Sequence, residues 1–137
     1  MIFEECLIEH IASLPDDHPA VKAFGYPFKP GENLFAFTEV PRPHDLVWVV
    51  VYSRERQDLS DAGIHVVRCA INVRSFDYKK AADTITALTE EFNGKELTCD
   101  DLRILFRGNP VASTPIYLDP IRRMVFSSEF VCEVRYA

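Results

Sequence analysis

The chain has 137 residues, of which 47% are hydrophobic and 12% aromatic, and its net charge is −6. This length and composition predict one folded domain with a real core and exclude a disordered protein. The acidic balance argues against a protein that binds nucleic acid by neutralising phosphates. The longest apolar run, Leu46 to Tyr52, is far too short to span a bilayer, so no membrane contact is expected.

The N-terminal segment predicts a helix over residues 2–14, ended by Pro15. The residues that share its apolar face are Phe3, Leu7, Ile11 and Leu14. Because the first residues are acidic and lack a long apolar run, they do not resemble a signal peptide. We therefore expect an intracellular product, or a particle component assembled inside a cell. Residues 15–33 contain four prolines and several aromatic residues, which indicate an ordered loop.

Three strands and a second helix are expected in the middle of the chain. The strands are expected over residues 34–40, 46–52 and 64–74, with a polar surface connection over 53–63. Asp77 is a favourable N-cap for a helix that runs to about Phe92. The core stripe of that helix consists of Ala81, Ile85, Leu88 and Phe92, and the core face of the third strand consists of Val67, Cys69, Ile71 and Val73.

Further strands are expected over residues 102–107, 111–118 and 122–137. In the last strand, side chains alternate between a core face and a polar face. The core face would hold Met124, Phe126, Ser128, Phe130, Cys132, Val134 and Tyr136, and the other face Val125, Ser127, Glu129, Val131, Glu133 and Arg135. The pattern predicts an α+β fold, a mostly antiparallel sheet with two helices packed on one face.

Residues that could carry chemistry are few. No nucleotide-binding, metalloprotease, nucleophile-elbow or paired-cysteine motif occurs, so an enzyme is disfavoured and neither cofactor, metal nor catalytic residue is expected. The four cysteines, Cys6, Cys69, Cys99 and Cys132, are scattered, which favours buried free thiols in a reducing cytoplasm. His10 shares a helix face with Cys6, but two ligands are short of a metal site.

The remaining charged pairs leave alternatives open. Asp16, Asp17 and His18 could form an acid–base cluster, but a solvated turn is favoured. Glu90-Glu91 and Asp100-Asp101 could attract a cation, but solvent-facing charge is favoured. Arg122-Arg123 could bind an anion or form an intersubunit ion pair, or could be plain surface charge.

Three segments together resemble the tail terminators of tailed phages, a family also described as minor capsid proteins. The first is an N-terminal helix followed by Phe24-Gly25-Tyr26-Pro27. The second is a strand that ends in an arginine and leads into a helix, Ile71 to Ala82. The third combines Gly108-Asn109-Pro110, Leu118-Asp119-Pro120 and the basic-aromatic strand from Arg122 to Arg135.

The resemblance implies a single tail-terminator-like domain over residues 1–137 that forms a ring, usually a hexamer, at the head-proximal end of the tail tube. Such a ring ends tube polymerisation and joins the tail to the head connector, in the neck region of a virion assembled in the host cytoplasm. Its partners would be further copies of itself, the tail tube protein and connector proteins, and DNA would pass through the lumen without specific binding. The candidate interface or lumen residues are Phe35, Phe37, Arg74, Arg122, Arg123, Ser127, Glu129, Glu133 and Arg135.

Two alternatives remain beside this reading. A head–tail connector or head-completion protein would share the α+β core and ring assembly. A small enzyme or ligand-binding domain with the same fold class is the alternative from a different functional class.

Overall fold

The computed structural model describes residues 2–36, 45–56, 64–107, 117–118 and 124–136. The elements in chain order are α1 (Phe3–Ala12), α2 (Pro19–Phe24), β1 (Leu34–Ala36), β2 (Leu46–Arg56), β3 (Ile64–Ser75), α3 (Tyr78–Phe92), β4 (Glu96–Cys99), β5 (Leu102–Phe106), β6 (Tyr117–Leu118) and β7 (Met124–Tyr136). No helix within these ranges is both long and apolar enough to cross a membrane.

The described strands form one sheet in the spatial order β1-β2-β3-β7-β5-β4, with β6 paired to β7 beside this series. Strand β1 runs parallel to β2, whereas the other strand pairs are antiparallel. The long strands β3 and β7 pair over twelve positions in the middle of the sheet. The prediction of an α+β fold with a mostly antiparallel sheet is therefore confirmed.

Three helices, rather than the two expected, contribute to the described fold. The loop expected over residues 15–33 is wrong for Pro19–Phe24, which form α2. Pro19 occupies the first helical position, where its missing N–H costs nothing, and Gly25 ends the helix with a φ of 89°. The short strand β4 was also not expected. Residues 37–40 and 111–116 of the expected strands lie outside the described residues.

The main core lies between the helices and one face of the sheet. The predicted core stripe of α3 and the predicted core face of β3 are both buried there. Phe130 of β7 is 2% exposed, and its ring lies 5.6 Å from that of Phe106 and 6.0 Å from that of Phe92. The predicted assignment of Phe130 to the core face is confirmed.

Strand β2 continues to Arg56, so the polar surface connection expected from residue 53 is wrong for residues 53–56. The register shifts between Val51 and Ser53, which leaves Tyr52 as one extra residue opposite β3. Because of this bulge, Arg54 rather than Ser53 lies on the helix side of the sheet. There its guanidinium donates a hydrogen bond to Glu4 of α1, whose side chain is almost completely buried.

Candidate functional site

The sheet face opposite the helices, called the outer face below, carries most of the predicted interface residues. Strand β7 contributes alternate residues from Val125 to Arg135, and the register with β3 places Arg74 beside Val125 on this face. The outer face is not uniform, because one half of it is buried and the other half is exposed.

The buried half surrounds a second, smaller hydrophobic cluster. Leu46, Trp48 and Val125 form this cluster, with Phe35 and Val50 packed against it. Around it, Asn72, Arg74 and Ser127 are also buried. Neither Arg74 nor Ser127 is therefore accessible on a single chain, and their assignment to an interface or lumen stays a prediction. Alternation along a strand assigns a residue to a face, but it does not reveal whether that face is covered.

The exposed half, called the charged half below, contains the other predicted residues of β7. Glu129 and Arg135 are exposed and Glu133 is partly exposed. Around them lie Arg68 of β3 and Arg103, Leu105 and Arg107 of the β5 region, together with Glu96 of β4. Arg103 donates to the Glu96 carboxylate at 2.7 Å, and Arg107 donates to Glu133 at 2.6 Å.

A shallow cavity of about 230 Å³ lies within the charged half, lined by Glu96, Arg103, Leu105, Glu133 and Arg135. Arg103 stands directly opposite Arg135 in the register of β5 and β7. Two like charges in directly opposed positions destabilise a sheet slightly. Arg103 is neutralised by Glu96, whereas Arg135 makes no ion pair to any residue in the described part of the chain. The cavity therefore presents an arginine that is free to meet an acidic group.

Tyr52 lies at the boundary between the two halves, at the bulge of β2, and is 57% exposed. Partial burial raises the pKa of its hydroxyl, and the nearby Glu129 carboxylate raises it further, while a hydrogen bond with Ser127 acts in the opposite direction. Tyr52 therefore stays a neutral phenol at neutral pH. Its ring adds apolar area to an otherwise charged surface.

On the helix side, Glu91 joins the three helices through hydrogen bonds. Its carboxylate accepts from His10 Nε2 and His18 Nε2, each at 3.0 Å, and from Lys95 Nζ at 2.6 Å. Partial burial raises the pKa of Glu91, but the three donors outweigh it and lower the pKa to about 2. His18 Nδ1 accepts from the Ala20 N–H, so its Nε2 carries the proton given to Glu91.

This cluster corrects two predictions. Glu91 is not solvent-facing, and His18 is not part of a solvated turn, because their side chains are only 17% and 15% exposed. Asp16, Asp17, Asp100 and Asp101 are exposed, as predicted. In the part of the chain that the structure describes, no group of three His, Cys, Asp or Glu side chains is arranged to hold a metal ion. The cluster acts as a brace between α1, α2 and α3.

The cysteines divide into two pairs. Cys6 of α1 and Cys99 of β4 form a disulfide, so the prediction of free thiols is wrong for these two residues. Cys69 and Cys132 are buried free thiols, as predicted. The neighbouring Cys69 thiol and burial both raise the pKa of Cys132, which keeps this thiol protonated and unreactive.

An apolar groove of about 390 Å³ lies between α1 and the edge strand β1. The residues that line it are Glu5, Ile8, Glu9 and Ala12 on α1, and Pro30, Gly31, Leu34, Phe35 and Ala36 on the opposite side. Glu5 and Glu9 are exposed and lie one helical turn apart, so the groove has an acidic rim. We call it the acidic groove.

Phe35, a predicted interface residue, thus belongs both to this groove and to the second hydrophobic cluster, and it is half-buried. The predictions for Phe37, Arg122 and Arg123 fall on residues outside the described ranges. Sequence reasoning did not find Leu105, Arg103 and Arg107. The alternation from Leu102 to Arg107 predicts a strand, and it also indicates which of these side chains are on the exposed face.

The comparisons with known proteins bear on the fold alone. No family model matches the chain, and no curated protein matches it. Twelve chains of solved structures match. One of them, a protein whose name carries no functional term, superposes with a TM-score of 0.52 at 12% identity and covers 99% of both chains. At that identity the likeness shows a shared fold, a small α+β domain, and nothing about activity.

Proposed function

We propose that this protein is a structural component of a phage neck that forms a ring, hexameric in the usual form of the family, at the head-proximal end of the tail tube. In this proposal it ends tube polymerisation and joins the tail to the head connector in the virion. The proposal rests first on the order of the segments that resemble tail terminators, from the N-terminal helix to the basic-aromatic last strand.

The observation that carries the proposal is the charged half of the outer face. Glu129, Glu133 and Arg135 lie together on a sheet face that no described helix covers. A two-layer α+β subunit with such a face has a broad side available for another protein chain. Exposed ion pairs such as Arg107–Glu133 contribute little to the stability of a monomer, so a role in assembly gives them a use.

A closed ring also requires that one surface of a subunit meets a different surface of its neighbour. The chain has two unlike surfaces of this kind, the charged half of the outer face and the acidic groove beside α1. Its net charge of −6 is compatible with a lumen that lets DNA pass without binding it. Residues that build a catalytic site are not needed for this function.

The test combines the chain with the tail tube protein of the same phage and images the products by electron microscopy. We expect tubes that carry a ring at one end and stop growing, whereas tubes without the chain keep elongating. Tubes of unlimited length with bare ends would contradict the proposal. A ring that binds the head connector but leaves tube length unchanged would instead assign the chain to the head-completion proteins.

A further inference from the structure

The acidic groove has a shape and a charge that define what could fill it. Its floor is apolar, with Ile8, Ala12 and Leu34, and its rim carries the two exposed carboxylates of Glu5 and Glu9. A fitting occupant therefore presents an apolar side chain between basic ones. Glu5 also accepts a hydrogen bond from the Ile2 N–H at 3.3 Å, which steadies the start of α1 and this side of the rim.

The charged half of the outer face presents such a combination. Strand β5 and the residue after it place Arg103, Leu105 and Arg107 on the outer face at alternate positions. Leu105 is 41% exposed, and Arg135 of β7 lies beside Arg103. We call these four residues the basic ridge.

The balance of charge also favours the ridge as the basic partner. The side chains described on the charged half include four arginines, Arg68, Arg103, Arg107 and Arg135, against three glutamates, Glu96, Glu129 and Glu133. The ridge itself consists of three of these arginines and Leu105, so it is a basic strip on this face of a chain whose net charge is −6. The two arginines that have partners bind them in exposed pairs, which exchange partners at small cost.

We propose that the basic ridge of one copy of this chain docks in the acidic groove of a second copy, with Leu105 on the apolar floor and the arginines against Glu5 and Glu9. This inference rests on the proposed ring and names the two surfaces that build it. Helix α1 packs on the helix side of the sheet, whereas the ridge lies on the outer face. The contact is therefore heterologous, joins copies head to tail, and leaves the groove of one copy and the ridge of another open until the ring closes.

A second copy fits better than DNA. A phosphate backbone approaching the ridge would also meet Glu96, Glu129 and Glu133, which repel it. The groove, by contrast, offers carboxylates to the arginines and apolar surface to Leu105. Both halves of the match are present on one chain, so no further partner is required.

Charge reversal tests the contact because a ring of two complementary variants can be built. In the first variant, Arg103→Glu and Arg135→Glu make the ridge acidic, and in the second, Glu5→Arg and Glu9→Arg make the groove rim basic. Each variant alone then sets like charges against each other at every contact. In an equimolar mixture, the reversed ridge meets the reversed rim and the native rim meets the native ridge, so alternating rings can form.

The measurement is the concentration at which half of the chain is oligomeric, followed by sedimentation velocity and by imaging of tube ends. We expect each variant alone to require at least a tenfold higher concentration than the wild type, and the mixture to return to within about threefold of it. The control for the groove variant is Asp16→Arg with Asp17→Arg, which raises the net charge by the same amount at exposed positions that do not line the groove. Circular dichroism melting verifies that each variant is folded.

Three results would overturn parts of the reasoning. If the wild type forms rings and either reversed variant assembles equally well, the docking is wrong while the ring proposal stands. If both folded variants fail and their mixture also fails, the two surfaces do not meet each other. If the wild type stays monomeric with and without tail tubes, the proposed function fails together with the docking.

Discussion

The Cys6–Cys99 disulfide joins helix α1 to strand β4, and its loss should destabilise the chain strongly. The two cysteines are separated by 93 positions in the sequence. For a loop of that size, the entropy that cross-linking removes from the unfolded chain corresponds to about 4–5 kcal/mol at 25 °C. A domain of 137 residues has an unfolding entropy of about 0.29 kcal/mol per degree, so the melting temperature should fall by roughly 15 °C.

The assay is thermal denaturation followed by circular dichroism, with and without a phosphine reductant. The matched variant is Cys99→Ser, because Cys99 is only partly buried. Cys6 is completely buried, so Cys6→Ser would place a polar hydroxyl in the core. The variant should melt at the temperature of the reduced wild type, and reductant should not change it further. Titration of the denatured, unreduced wild type should find two free thiols, those of Cys69 and Cys132, and four after reduction.

Two results would refute this reasoning. Four free thiols in the unreduced protein would show that Cys6 and Cys99 are not joined. The second result is that two thiols are titrated in the unreduced protein, but that reductant changes the melting temperature by less than about 3 °C. The disulfide would then be present, but its reduction would not increase the conformational entropy of the unfolded chain as expected.

Three further predictions concern single side chains. Phe130→Ala should lower the free energy of unfolding by about 3–5 kcal/mol in urea titration, because the ring is buried against two others. Glu129→Ala, on the exposed face, should change the free energy of unfolding by less than about 0.5 kcal/mol. Equal effects of the two substitutions would mean that the faces are reversed. The pKa of Glu91 is lowered from 4.5 to about 2, so the folded state binds fewer protons than the unfolded state. The stability that Glu91 contributes, on the order of 2 kcal/mol, should therefore be complete above pH 4.5 and be lost as the pH falls towards 2, and Glu91→Gln should flatten this part of a stability–pH profile. The Asp77 carboxylate accepts from the Lys80 N–H at 3.2 Å, so Asp77→Ala should cost about 1 kcal/mol in the same urea titration, and Asp77→Asn should restore most of it.

Much of the fold could be predicted because local periodicity reports burial directly. The stripe of apolar residues along α3 and the alternation along β3 and β7 each identify one face, and these faces form the main core. Asp77 was identified as a cap from its position alone, since capping is a contact over three residues. Helix α2 was missed because its proline indicated a loop, although at the first turn proline favours a helix.

The candidate surface was predictable only in part. Glu129, Glu133 and Arg135 are on the accessible half of the outer face, as alternation predicted, but Arg74 and Ser127 are buried on the same face. The alternation of β7 is the same in both halves, so nothing local distinguishes them. The bulge at Tyr52 has a similar consequence, because it turns Arg54 towards Glu4 and away from the face that a regular strand would give it.

The sequence by itself determined the fold class, the core faces of the long elements and the presence of a polar strand face at the C-terminal end. These properties depend on neighbours within a few positions, where geometry is nearly fixed. Only the tertiary structure decided which distant groups meet: Cys6 with Cys99, Glu91 with His10 and His18, and Arg103 opposite Arg135. The separation of these residues along the chain does not predict their distance in space, because strand order and helix packing depend on burial summed over the whole domain.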